Sequence, residues 1–228
     1  MAKQKGIIKL DGTIGGITFY KTTEDGYLAR EKGGVSADKI ANDPAFQRTR
    51  ENGEEFGRAG KAGKLLRNSI RAMLQNASDS RMVGRLTQKM VEVIQEDLTN
   101  PRGQRNVIDG EAELLEGFEF NINGKLGTTL YAPFTGTIDR VAGTLTANIP
   151  AFVPINMLAA PGGATHFKIV SAGAEVDFEN ETFVMDAQAT AVLPWDATAT
   201  AVINLANAVT PNSTHPLFLA LGIEFYQE

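Results

Sequence analysis

The sequence has no cysteine, and only two histidines and one tryptophan among its 228 residues. The missing cysteine excludes disulfides, thiolate metal centres and a cysteine nucleophile. Neither histidine has metal-ligand spacing. His166 falls in a strand-like run, Thr165-His166-Phe167, and His215 in a turn-like one, Thr214-His215-Pro216. No Gly-x-Ser-x-Gly elbow occurs. No apolar run approaches the roughly 18 residues of a membrane span. The basic run over residues 1–10 lacks the apolar core of a secretory signal. These absences lead to the expectation of a protein that is not an enzyme and has no cofactor. It is expected to be cytoplasmic or particle-associated, with a non-classical export route left open.

The residues that are present are sorted by charge. Residues 1–110 carry 19 lysines and arginines against 14 acidic residues, and residues 111–228 carry 3 against 13. Such asymmetry suits a polyanion partner, or two surfaces of opposite sign that meet each other. It also arises when a lysine-solubilised helical region is joined to a sheet region with few charges. The apolar fraction, 43%, is ordinary for a globular chain and excludes wholesale disorder.

Residues 1–34 read as short strands and turns. Ile7-Ile8-Lys9-Leu10 reads as a strand before Asp11-Gly12, a hairpin signal. The β-branched run over residues 13–20, the turn Glu24-Asp25-Gly26 and the run Tyr27-Leu28-Ala29-Arg30 complete a meander. A sheet this small is marginal without a surface to pack on. Residues 35–110 read as helical. Asp43 and Pro44 form a helix start, and Gly57, Gly60 and Gly63 mark expected weak points. Ala62, Leu65, Leu66, Ile70 and Met73 then share a helical face. A further helix, capped by Ser78 or Asp79, carries Met82, Leu86, Met90 and Ile94. The two make a helical hairpin.

From residue 111 the period becomes two. Strands are expected at Phe118–Ile122, Leu145–Ile149, His166–Val170, Glu175–Phe178, Thr182–Ala187, Thr190–Leu193, Ala199–Leu205 and Leu217–Phe225. Short strands with no helix between them imply an antiparallel sandwich or barrel.

Three stretches invite a chemical reading. The glycine run over residues 57–65 fails the phosphate-loop pattern, because Leu65 stands where Ser or Thr is required. Glu175, Asp177, Glu179 and Glu181 alternate on one strand face, where a Ca²⁺ ion could relieve their repulsion or water could solvate them. Lys61, Lys64, Arg67 and Arg71 form a basic row at helical spacing, continued by Arg81, Arg85 and Lys89. Such a row is a solvated face, a subunit contact or a phosphate-backbone contact. The interleaved aromatics that bind single strands are missing.

Lys5-Gly6-Ile7, Gly12-Thr13-Ile14-Gly15, the run over residues 25–30 and Asp43-Pro44-Ala45-Phe46-Gln47-Arg48-Thr49-Arg50-Glu51-Asn52 resemble uncharacterised bacterial protein families. So do Gly163-Ala164-Thr165-His166-Phe167 and the run Leu221-Gly222-Ile223-Glu224-Phe225-Tyr226-Gln227. The resemblance brings no activity and no site residues.

Together these features predict an α+β fold: a β-meander arm (residues 1–34), a helical region (35–110) and a β-sandwich domain (111–228). The function expected first is a structural, self-assembling subunit of a filament, tube, shell or phage-like particle, whose partners are other copies of itself. Its expected contacts are Ile7, Ile8, Ile14, Ile17 and Phe19 of the arm, with Lys61, Lys64, Arg67, Arg71, Arg81 and Arg85 of the helices. The alternatives are a nucleic-acid-associated protein using the basic helices, and a carbohydrate- or Ca²⁺-binding sandwich with Trp195 near its loops.

Overall fold

The structure is a computed structural model in which residues 2–75, 77 and 79–227 are described. Ser78, one of the two cap candidates, lies outside the described residues. The fold is α+β, with an N-terminal meander and antiparallel C-terminal sheets. The chain divides into two compact units, Met1–Arg50 and Glu51–Glu228.

The first unit holds strands β1 (Ala2–Lys3), β2 (Gly12–Ile14), β3 (Ile17–Thr22) and β4 (Gly26–Glu31), in the order β1-β4-β3-β2. The tight turn lies at Gly15-Gly16, where Gly15 has φ +57°, and not at Asp11-Gly12. It splits the β-branched run over residues 13–20 into two paired strands. Ile7-Ile8-Lys9-Leu10 forms no strand. Its side chains have nothing to bury against, so strand propensity alone does not order it. Among the described residues of this unit, only Leu28 is buried. Helix α1 (Ala37–Asn42) follows, capped by Ser36, whose hydroxyl accepts from the Lys39 N–H. Asp43 caps the 3-10 turn Pro44–Phe46, with Pro44 at its first position as the sequence suggests.

Helix α2 (Gln47–Ser69) runs unbroken through four glycines. Each is about 1 kcal/mol worse than alanine in a helix interior. The buried stripe of Ala59, Ala62, Leu65 and Leu66 offsets that. Gly63 is the glycine that meets another helix: a Cβ there would lie 3.5 Å from Leu86. The break comes later, at Ile70, and is followed by the single turn α3 (Arg71–Leu74). Helix α4 (Met82–Gln95) buries Met82, Leu86, Met90, Val93 and Ile94. Gly110 then passes so close to α4 that a Cβ would sit 2.3 Å from the Val93 carbonyl oxygen.

Phe118–Ile122 is irregular instead of a strand. Phe118 and Phe120 meet edge to face at 4.9 Å and pack on the helices, which removes the alternation of environment that a strand needs. After α5 (Leu126–Thr129) come β5 (Thr135–Asp139), β6 (Thr144–Ile149), α6 (Pro154–Met157), β7 (His166–Asp177), β8 (Thr182–Ala189), β9 (Leu193–Pro194), β10 (Ile203–Ala208) and β11 (Leu217–Tyr226). The two strands expected over residues 166–178 are one. Thr190–Leu193 contributes only its last residue, to β9. β5 carries no apolar alternation strong enough to have been read.

The second unit has three layers. One sheet has the order β10-β6-β5, and the other β11-β7-β8, with β9 also on β7. β7 is the centre. Its Phe167 and Ile169 face the first sheet, where they meet Ile149, Ile203 and Leu205 together with Leu221, Ile223 and Phe225 of β11. Its Ala172, Ala174 and Val176 face the helices, where they meet Leu66, Leu86, Met90 and Phe218. Gly173 sets the spacing between the sheets, because a Cβ there would lie 2.6 Å from the Asn207 Cβ. The fully buried Asn207 amide donates to the Leu145 carbonyl (3.2 Å) and the Ser171 hydroxyl (2.9 Å), so the close approach leaves no polar group stranded.

Candidate functional site

The meander places Tyr20 and Leu28 on one face and Ile14, Ile17 and Phe19 on the other. Register aligns Ile14 with Ile17, and Phe19 with Ala29 and Gly12. Ile14 (63%) and Ile17 (47%) are exposed, and Phe19 is half-buried. Ile7 and Ile8 protrude from the irregular segment between β1 and β2. Gln4 closes the base of that segment, accepting from the Leu10 N–H (2.9 Å) and donating to the Leu28 carbonyl (2.9 Å). Lys9 lies 5.7 Å and Lys21 5.3 Å from the centre of the Tyr27 ring.

The basic row divides. Lys61 and Lys64 are exposed on α2. Arg67 is half-buried on the same helix, and its Nε finds no acceptor. Arg71 lies beyond the break at Ile70, exposed on α3. Arg81 is exposed at the start of α4. Arg85 points inward: it pairs with Asp79 (2.5 Å), donates to the Glu119 carbonyl (2.7 Å) and covers the Phe118 ring at 5.2 Å. Asp79 also accepts from the Ile122 N–H (2.9 Å), the first of the contacts that hold its carboxyl below its usual range. Arg85 thus anchors residues 118–122 to α4.

The acidic stretch splits by role. Glu175 is buried in β7. Desolvation opposes its charge, but the Ser213 hydroxyl (2.6 Å) and the Thr210 N–H (3.1 Å) together hold its pKa below normal. Asp177 accepts from the backbone and side chain of Asn180 and shapes the β7–β8 turn, with His215 at 3.8 Å. Among the described residues, no three acidic or histidine side chains converge on a common metal position. Trp195 packs on the core between the sheets. A shallow depression lined by Thr190, Leu193, Thr200, Ile203 and Leu205 contains no titratable group.

The most constrained polar cluster was invisible to sequence reasoning. Glu55 takes a two-pronged contact from Arg105, Nε at 2.7 Å and Nη2 at 2.8 Å, and accepts from the Gly103 N–H at 2.8 Å. The Arg105 hydrogen bond is the main cause of its lowered pKa. Arg58 donates to the carbonyls of Gly103 and Arg105. The buried Asp97 carboxylate accepts from the N–H groups of Thr99, Asn100 and Asn106, and its pKa falls to about 2 although desolvation works against its charge. These groups lace residues 97–106 to the helices. Glu55 and Arg105 stand 50 residues apart with no motif linking them. Glu55 and Arg105 pair with each other, and Arg58 and Asp97 are hydrogen-bonded to the backbone.

Comparison with protein-family models, with curated proteins and with solved structures gave no match. The functional reading therefore rests on this chain's own residues.

Proposed function

We propose that this protein is a structural subunit that assembles with copies of itself, with the N-terminal unit docking on a neighbouring copy. The observation that carries this reading is the state of the first unit. Among its described residues, this unit with its four-stranded sheet buries one, while Ile7, Ile8, Ile14 and Ile17 stay exposed. Burying an isoleucine side chain is worth about 1.5–3 kcal/mol. A sheet of this size needs such a surface for its own stability. The charged groups with the strongest perturbations are spent on internal contacts, which suits a scaffold. The charge excess of opposite sign in the two parts of the sequence supplies attraction when surfaces of the two signs meet between copies.

Sedimentation velocity on the full chain and on an Ile14→Lys/Ile17→Lys variant tests the reading. The unmodified chain sediments as a large species, and the variant sediments as a monomer with an unchanged circular dichroism spectrum. A wild-type chain that remains monomeric at high micromolar concentration refutes it. Salt-dependent binding of random-sequence DNA, abolished by Lys61→Glu/Lys64→Glu, replaces it with the nucleic-acid reading.

A further inference from the structure

We infer that the open edge of β8 is the acceptor for this docking, and that residues 5–10 of a second copy add to it as a strand. This inference rests on the assembly reading. β8 pairs with β7 along its whole length, Thr182–Ala189, and among the described residues its opposite edge has no strand partner. All its residues but one are exposed, including Phe183, Val184 and Met185. Natural sheets protect such edges with lysine, proline or a bulge, or cover them. β8 contains no lysine and no proline.

Residues 5–10, Lys-Gly-Ile-Ile-Lys-Leu, are the matching orphan. They have strand composition and, among the described residues, no strand partner, with Ile7 at 102% and Ile8 at 80% exposure. The side chain of Gln4 occupies both the N–H and the carbonyl of Leu10, at 2.9 and 3.3 Å, as a neighbouring strand would. These bonds are exposed and exchange readily for ladder bonds. Strand addition draws its affinity from the main chain and its selectivity from alternate side chains.

Charge and apolar matching together restrict the register. Asp186 is the one charged residue of β8, and Glu179 and Glu181 precede it in the turn. The Asp186 carboxylate accepts from the Gln188 amide (2.9 Å) and the Ala208 N–H (2.9 Å), contacts that hold its pKa below its ordinary value. The donor carries Lys5 and Lys9. Setting a lysine opposite Asp186 allows four arrangements; two of them put Ile7 beside Gln188, and the two that match it with an apolar residue are Lys9 in a parallel pairing and Lys5 in an antiparallel one. Both put Ile7 beside Val184. The parallel form sets Ile8 beside Met185, and the antiparallel form sets it beside Phe183.

The absence of native cysteine makes the test direct. An Ile7→Cys chain and a mass-tagged Val184→Cys chain are co-expressed at full length and oxidised. Since each chain carries one thiol, any mixed disulfide joins two copies. The mixed disulfide is expected to form several-fold more abundantly than with Ile138→Cys, a control on the exposed strand β5. Asp186→Lys is expected to reduce it, and Lys5→Glu/Lys9→Glu in the partner to restore it. Equal yields from Val184→Cys and Ile138→Cys, in a chain that still assembles by light scattering, overturn the β8 acceptor and leave the assembly reading standing. A chain that does not assemble at all overturns both.

Discussion

Replacing Glu55 by alanine perturbs the polar cluster at its centre. The Glu55 side chain is 4% exposed and that of Arg105 is 17% exposed. Truncation leaves the Gln95 carbonyl (2.9 Å) as the hydrogen-bond acceptor of the Arg105 guanidinium among the described residues and deprives the Gly103 N–H of its acceptor. Breaking this partly buried pair costs about 2–4 kcal/mol, less than for a fully buried one, because Arg105 reaches solvent and keeps the attraction of Asp97 and Glu96. With an m-value of about 2–3 kcal/mol/M in urea, the midpoint falls by about 0.7–2 M. Equilibrium unfolding followed by circular dichroism reads this directly. Arg105→Ala gives a loss of similar size. The double variant Glu55→Leu/Arg105→Met recovers most of the stability, because no uncompensated charge remains. A Glu55→Ala midpoint within about 0.3 M of wild type, or single losses that simply add in the double variant, would refute the reasoning.

Acid has a defined direction. Glu55, Asp97 and Glu175 all have folded pKa values below their ordinary ones, so each contributes stability above its unfolded pKa and loses it as pH falls through the folded value. For Asp97 that window runs from its ordinary 3.8 down to about 2, and Asp97→Asn flattens the stability profile there in a urea titration. Gly173→Val puts a side chain where Asn207 already stands, and the protein is expected to be insoluble. Gly222→Ala meets only the flexible end of Met73 and a Val170 methyl, both at 3.3 Å, and lowers the melting temperature slightly. Leu221→Asp places a carboxylate in the core between the sheets and abolishes cooperative melting. Glu224→Ala removes only the hydrogen bond from the Tyr226 hydroxyl and costs under about 1 kcal/mol.

The elements legible in the sequence were those whose environment alternates cleanly. Leu145, Ala147 and Ile149 of β6 are buried while their neighbours are half-exposed, and that pattern is visible in the residues themselves. β11 was equally legible. Its large residues Leu221, Ile223 and Phe225 meet the other sheet, and Phe218 and Ala220 meet the helices. β7 was harder, because residues 171–176 are buried on both faces, and its run Ser171-Ala172-Gly173-Ala174-Glu175-Val176 has no apolar period. The glycines of α2 misled because propensity is local, whereas the packing that overrides it lies on α4. Ile7-Ile8-Lys9-Leu10 misled in the opposite sense: it has the propensity of a strand and, among the described residues, no strand partner. In the basic row, spacing located Lys61 and Lys64 on an exposed face. It could not show that Arg85 turns inward, since Asp79, Glu119 and Phe118 reach it only in the folded chain.

The most direct measurement compares the full chain with a chain lacking residues 1–34 by sedimentation velocity over a wide concentration range. If the N-terminal unit joins one copy to the next, the full chain forms large species and the shortened chain is a monomer that retains its unfolding transition. Indistinguishable sedimentation of the two would contradict self-assembly through that unit.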